Sequence, residues 1–252
     1  MDLIELSWPA VAALSKDVPV VFPIAALEQH GHHLPVFTDS MLLGEIVRRA
    51  KEPLADRALF APLLWLGNSH HHLDFPGTLS APPRAYIDVL HGLVESFVQH
   101  GFQRLVFLNG HGGNDVPGRQ AVFELRQRFR ERNDLLFLLA TYWNLGAKPW
   151  ETETSLQQHE MGHACEWETS MMLRLAPQLV GDYRGARPIE PGRPFTPAVR
   201  GWTTRERTAT GHIGSPHVAT AEKGEHLFRT FTADVVALLE RVILWNGKSW
   251  SG

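Results

Sequence analysis

Residues 28 to 39, EQHGHHLPVFTD, hold two carboxylates and three histidines with no lysine or arginine among them. Such a cluster is costly to bury unless a cation neutralises it. Glu28 and His30 lie two apart at the end of an apolar run. In extended backbone, side chains two apart point to the same side, as two ligands of one centre must. Asp39 returns after a short loop and offers a third oxygen. A carboxylate shared by two divalent ions roughly 3.5–4 Å apart is the usual way to hold a dinuclear hydrolytic centre. Carboxylates and imidazoles without thiolates suit zinc, manganese or iron(II). A polar strand end with solvated histidines is the competing reading of this segment taken alone.

Two further segments offer matching chemistry. NGHGGN (109–114) holds His111 among three glycines, which allow close backbone approach to a ligand. It has neither a P-loop lysine nor GxGxxG spacing, so a phosphate-binding loop is the weaker reading. HACEWETS (163–170) presents His163, Glu166 and Glu168 before and inside a helix start, where acids also serve as dipole complements. Cys165 is the only cysteine and reads as a small packed residue. HHHLD (70–74) reads as exposed loop histidines, with His72, near FPGT, as a residue that could line a pocket.

These segments need elements to position them. The chain reads as a short helix from Ser7 to Leu14, a strand within 18–28 and a helix over 40–52 capped by Asp39 or Ser40. A strand over 57–67, a helix over 82–101, a strand over 103–110 and a helix over 115–133 follow. The series ends with a strand over 134–143 and helices over 166–179 and 221–245. Pro19 and Pro23 each lack a ladder donor and argue against a central place for the first strand. Strands alternating with crossover-length helices predict an α/β fold with a largely parallel sheet and helices on both faces. Chemistry in such folds gathers at the carboxyl ends of the strands, which is where EQHGHH and NGHGGN fall.

The 252 residues, 44% hydrophobic and 20% charged, fit one domain spanning 1–252, since no linker or composition break divides them. The net charge of −3, with both signs interspersed, leaves no basic footprint for nucleic acid. No apolar run is long enough to span a membrane. An acidic start and a single cysteine lead us to expect a cytoplasmic protein without a signal peptide.

ALEQHGHHLPVFTD, FPGTLS (75–80), HGFQRLVFLNGHGGN (100–114), HACEWETSMML (163–173) and ATAEKGE (219–225) together resemble the creatininase (creatinine amidohydrolase) family, in that family's order. The resemblance implies an α/β hydrolase that cleaves the C–N bond of a small amide or cyclic amide, with two divalent ions per subunit and often a homohexamer. Carried over by position, Glu28, Asp39 and His111 would hold one ion, and His30 with Asp39 the other. His163 matches the family's catalytic histidine and Trp143 a substrate-side tryptophan, and Gly112 and Gly113 are candidate N–H donors to substrate. In creatininase proper a glutamate of the NGH segment completes the second ion's shell, but that position is Gly113 here. Glu166 is expected to supply the missing acid, with Glu168 as the rival. A second tryptophan, expected four residues before the catalytic histidine, is His159, and the acid directly before that histidine is Gly162. Both departures weaken creatinine itself as the substrate. A deformylase of a formylamino-pyrimidine nucleotide and a peptidase of a small peptide cofactor precursor are the alternatives within the family. A metal-binding protein without turnover is the alternative outside it.

Overall fold

The apolar run after Val18 forms strand β1 (Pro19–Ile24), buried at every residue, at the middle of a four-stranded parallel sheet. The computed structural model describes residues 1–193 and 195–248. The other strands are β2 (Leu59–Phe60), β3 (Arg104–Asn109) and β4 (Leu136–Thr141), in the order β2-β1-β3-β4. The helices are α1 (Trp8–Ala13), α2 (Thr38–Leu54), α3 (Pro83–Gln99), α4 (Asp115–Arg128), α5 (Pro149–Thr152), α6 (Glu166–Leu175), α7 (Thr204–Arg207) and α8 (Ala221–Leu244). The fold is α/β, as expected.

β1 is central despite its prolines. The carbonyls of Val21 and Pro23 accept from Ala61 N and Leu64 N, so the odd-numbered residues turn their backbone groups toward β2. The donors that Pro19 and Pro23 lack fall on that side, where the ladder is only two residues long. The β3 side keeps its full register from Pro19–Arg104 to Ile24–Asn109. The sequence around Pro62 also explains why a strand expected over 57–67 shrinks to Leu59–Phe60 and one bridge at Leu64. The helix expected over 115–133 stops at Arg128; the Arg126 guanidinium then donates to the carbonyls of Phe129, Arg132 and Leu135, closing the turn.

Alternation along the strands divides the core into two layers. Val21, Val106, Leu108 and Ala140 face α2, α6 and α8, packing with Leu42, Ile46, Met171, Phe228 and Phe231. Val20, Phe22, Ile24, Leu105 and Phe107 face α3 and α4, packing with Tyr86, Leu90, Val94 and Ala121. The register sets Ile24, Asn109 and Thr141 abreast, so three strands release their loops at one edge. Among the described residues no helix is long and apolar enough to cross a membrane.

α6 is fixed to α8 by a buried ion pair. Lys223 Nζ lies 2.6 Å from Glu166 Oε1 and 2.8 Å from the Val218 carbonyl, while Glu166 Oε2 accepts from the backbone N–H groups of Gln157 and Gln158 at 2.9 and 2.8 Å. Glu166 has no exposed surface. Removing one partner of such a pair leaves an uncompensated buried charge. Lys223→Met is therefore expected to lower unfolding free energy by about 3–5 kcal/mol, read from urea denaturation midpoints. A midpoint equal to that of the parent protein would show that the pair contributes nothing.

Candidate metal centre

The loop leaving β1 carries Glu28, His30 and Asp39 to the carboxyl edge of the sheet. Glu28 is set by its N–H donating to the Val36 carbonyl (2.9 Å) and Gln29 by its N–H donating to Thr78 Oγ1 (3.0 Å). β1 ends at Ile24, so Glu28 and His30 converge from irregular backbone and not from a continued strand. Asp39 does not cap α2: Phe37 holds the cap position, and Asp39 sits in the first turn with its carboxylate turned to the histidines. Ser40 instead donates to the Ala26 carbonyl at 2.8 Å, fastening α2 to the end of β1.

The loop after β3 is held by Asn109, whose Oδ1 accepts from His111 N (3.1 Å) and whose Nδ2 donates to the His111 carbonyl (2.8 Å). Asn114 ties it to neighbouring loops, donating to the Ala25 carbonyl at 3.0 Å and accepting from Asn68 N at 2.9 Å. Gly113 is required there. A Cβ at that position would lie 2.2 Å from the Asn68 carbonyl oxygen and 2.8 Å from the His71 ring. A side chain at this place has no room between the Asn68 carbonyl and the rings of His111 and His71.

Three histidines share one arrangement. Each has one ring nitrogen beside a backbone carbonyl and the other aimed at a carboxylate, and His111 Nε2 also lies 3.3 Å from Glu28 Oε2. His30 Nδ1 donates to the Glu28 carbonyl (3.1 Å), His111 Nε2 to that of Asn68 (3.0 Å) and His163 Nε2 to that of Gln29 (2.7 Å). Since a carbonyl only accepts, the opposite nitrogens keep their lone pairs. His30 Nε2 faces Asp39 Oδ1 at 3.1 Å and Glu168 Oε1 at 3.6 Å. His111 Nδ1 faces Asp39 Oδ2 at 3.0 Å, and His163 Nδ1 faces Glu28 Oε1 at 3.6 Å. Asp39 thus turns one oxygen to each of two histidines.

Lone pairs facing buried carboxylates want a cation between them. Glu28 Oε2, His30 Nε2, Asp39 Oδ2 and Glu168 Oε2 are buried without hydrogen-bond partners. Donor atoms of Glu28, His30 and Asp39 lie within 4.8 Å of one another, as do those of His30, His163 and Glu168. The donor set of imidazoles and carboxylates fits divalent ions. Without such ions, protons carry the positive charge. Burial opposes charge on His30 and His111, yet the neighbouring carboxylates prevail, holding His30 well above its usual range and His111 at about 10. Burial, with His72 and His30 alongside, pushes His163 well below its usual value, so this imidazole is neutral at pH 7.

The expected position of Glu166 is corrected by this geometry. Both of its oxygens are engaged with Lys223 and the 157–158 backbone, away from the cluster, and Glu168 is the acid of α6 that reaches His30. Residues 166 and 168 lie about 200° apart around a helix, so only one can face the cluster, and the buried stripe chosen by Glu168 is the one turned to the site. The reading of residues 70–74 is also revised. His70 is exposed, but His71 and His72 line the cavity, with His72 Nε2 3.4 Å from Glu28 Oε1 and its Nδ1 2.7 Å from Gln29 Nε2. Donor atoms of Glu28, His72 and His163, and of Glu28, His71 and His111, also fall within 4.8 Å. Gln29 was not singled out from the sequence, because an amide beside a histidine cluster carries no spacing signal of its own. Cys165 is buried with its thiol pushed up to about 12 by burial, which suits packing and not ligation.

Glu28, Asp39, His111, His163 and Glu168 line a cavity of about 1360 Å³, together with Gly112, Gly113 and Trp143. His159 stacks on Trp150 at 5.1 Å and is not part of this lining. At Gly162 a Cβ would lie 2.2 Å from the Ile213 carbonyl oxygen, which excludes an acid there.

The creatininase family model, creatinine amidohydrolase, matches residues 4–239. The chain is 28% identical over 246 residues to creatinine amidohydrolase of Pseudomonas putida, covering 88% of this chain and 89% of that protein. It is 31% identical over 223 residues to the mycofactocin precursor peptide peptidase of Mycolicibacterium smegmatis, covering 85% of this chain and 82% of that protein. A mutant creatininase of Zn–Zn type superposes with a TM-score of 0.82 at 26% identity, covering 95% of this chain and 97% of that one. A parallel sheet with a histidine–carboxylate cluster at its carboxyl edge, carried by a chain matched over nearly its whole length, places this protein in the creatininase family, as an amidohydrolase.

Proposed function

We propose that the protein hydrolyses a C–N bond of a small amide or cyclic amide with the help of two divalent ions, zinc, manganese or iron(II). The observation that carries this reading is the convergence of unpartnered buried atoms from Glu28, Asp39 and Glu168 on one cavity, with His30 Nε2, also unpartnered, set against Asp39 and Glu168. Glu28, Asp39 and His111 would hold one ion, and His30, Asp39 and Glu168 the other, with Asp39 shared. When bound, such ions polarise a carbonyl and make water nucleophilic at neutral pH.

The chain's own groups supply the rest. Neutral His163 accepts a proton from the attacking water at Nδ1, because its Nε2–H is committed to the Gln29 carbonyl. It then returns that proton to the departing nitrogen. The N–H groups of Gly112 and Gly113, on the cavity wall, are the candidate donors to the developing oxyanion. Trp143 offers an aromatic face to the flat amide. A formamide or short-peptide substrate is the second reading, favoured by a cavity larger than one small ring needs. This reading includes a homo-oligomer, a hexamer by family resemblance, acting in the cytoplasm.

Metal analysis combined with a screen of creatinine, cyclic imides, formamides and short peptides tests this function. Metal content without hydrolysis of any of them would favour a non-catalytic binding protein. Glu168→Gln should retain about one ion per chain, whereas Glu166→Gln should retain two and lose stability instead. The opposite pattern would return the ligand role to Glu166.

His163→Ala should keep both ions and lose turnover by roughly 10²–10⁴-fold, the usual contribution of a general acid–base. Metal lost in proportion to activity would make His163 a ligand. Creatinine should be a poor substrate, since His159 lies off the cavity and Gly162 has no room for an acid. A kcat/KM for creatinine above roughly 10⁴ M⁻¹s⁻¹, the lower end of the usual enzyme range, would refute this.

A further inference from the structure

A cavity of about 1360 Å³ is larger than the ~300–1,000 Å³ typical of sites for drug-sized ligands. A small amide at the cluster leaves much of it to the remainder of a longer substrate. The exposed part of the lining is rich in cations: Arg84 at the start of α3, Arg193 and Arg200 in the 185–201 loop, and Arg207 at the end of α7. The acids of that lining are largely committed. Glu160 pairs with Arg193 at 2.9 Å and Asp115 with Arg119 at 2.9 Å, while Glu124 accepts from Gln120 and lies 3.6 Å from His91. Among the described residues, Arg84, Arg200 and Arg207 have no carboxylate at ion-pair distance. Arg205, in α7 beside Arg207, is turned elsewhere, over the Phe75 ring and toward the Asp74 carbonyl.

Arg207 is held in place. Its guanidinium lies 4.6 Å over the Trp202 ring and donates to the Pro191 carbonyl. Trp202 meets His71 edge-on at 5.0 Å, and His71 stacks on His111 at 5.8 Å. One aromatic wall therefore runs from the carboxylate cluster to the arginines. Burial and the neighbouring Arg193 both disfavour charge on Arg207, a cost that a bound anion would relieve.

We propose that Arg84, Arg200 and Arg207 bind an oxyanion, carboxylate or phosphate, carried by the substrate at the end remote from the scissile C–N bond. The planar fork of a guanidinium matches both groups bidentately. The substrate class is then an extended amide with a distal acid group. This rests on the amidohydrolase reading and narrows it.

The test uses a matched series on the metal-loaded protein: the formamides and acetamides of 6-aminohexanoate, 6-aminohexyl phosphate and 6-aminohexanol. Either charged member should exceed the alcohol in kcat/KM by roughly ten- to hundredfold, the range for charge-assisted hydrogen bonds. In the Arg200→Gln/Arg207→Gln variant that ratio should fall toward one, and Arg84→Gln, on an exposed first turn, should lower it separately. The larger of the two preferences identifies carboxylate or phosphate. Equal rates for charged and uncharged members of the wild-type protein, or a ratio unchanged in both variants, would overturn the assignment. Calorimetric binding of the same compounds reads the same ratio in Kd. A protein that binds the charged members preferentially and cleaves none would retire the hydrolytic reading while leaving the arginine site standing.

Discussion

Buried carboxylates at the edge of a parallel sheet impose the constraint on which the rest of this structure depends. Glu28, Asp39 and Glu168 are each at most 5% exposed, and no lysine or arginine reaches any of them in the described residues. Their only charge partners are histidines, three of which have one nitrogen tied to a carbonyl and the other pointed inward. Positive charge must therefore enter the cluster as protons or as metal. The carbonyl ties favour metal, because they set each tautomer and aim each lone pair before any ligand arrives.

The scaffold serves that cluster through strand register. Because Ile24, Asn109 and Thr141 end together, the loops carrying Glu28, His111 and Trp143 leave from one edge and need little length to converge. α6 contributes from the side, and the Glu166–Lys223 pair fixes where its first turn lies. The two acids of that turn divide the labour. One is consumed in fastening the helix to α8 and to the 157–158 backbone, and the other, on the opposite face, reaches His30.

Much of this was legible in the residues. Apolar runs alternating with helical periodicity foretold the parallel sheet and its two helix layers, and the polar clusters fell at strand ends as such folds require. What the residues did not disclose depended on direction and space. Helical periodicity placed Glu168 on a buried face, but whether that face looked into core or cavity depends on where α8 lies, so Glu166 was preferred. His72 is legible as a pocket residue from its place near FPGT, but His71 reads as solvated because nothing local reports how closely its ring packs against Gly113. Pro19 and Pro23 argued against a central strand because sequence cannot tell which neighbour is only two residues long.

The bond from His163 to the Gln29 carbonyl joins groups 134 residues apart. Closing a loop of that length carries an entropic cost that contacts elsewhere in the sheet and its helix layers must offset, so the floor of the cavity is complete only when both segments hold their native places. Until α6 docks, the loop after β1 presents its carboxylates to water, where they are solvated and their cost is small. An ion that binds only the assembled cluster would stabilise the native state by mass action. Its effect would reach the β1 loop and α6 together, since both carry residues of the cluster.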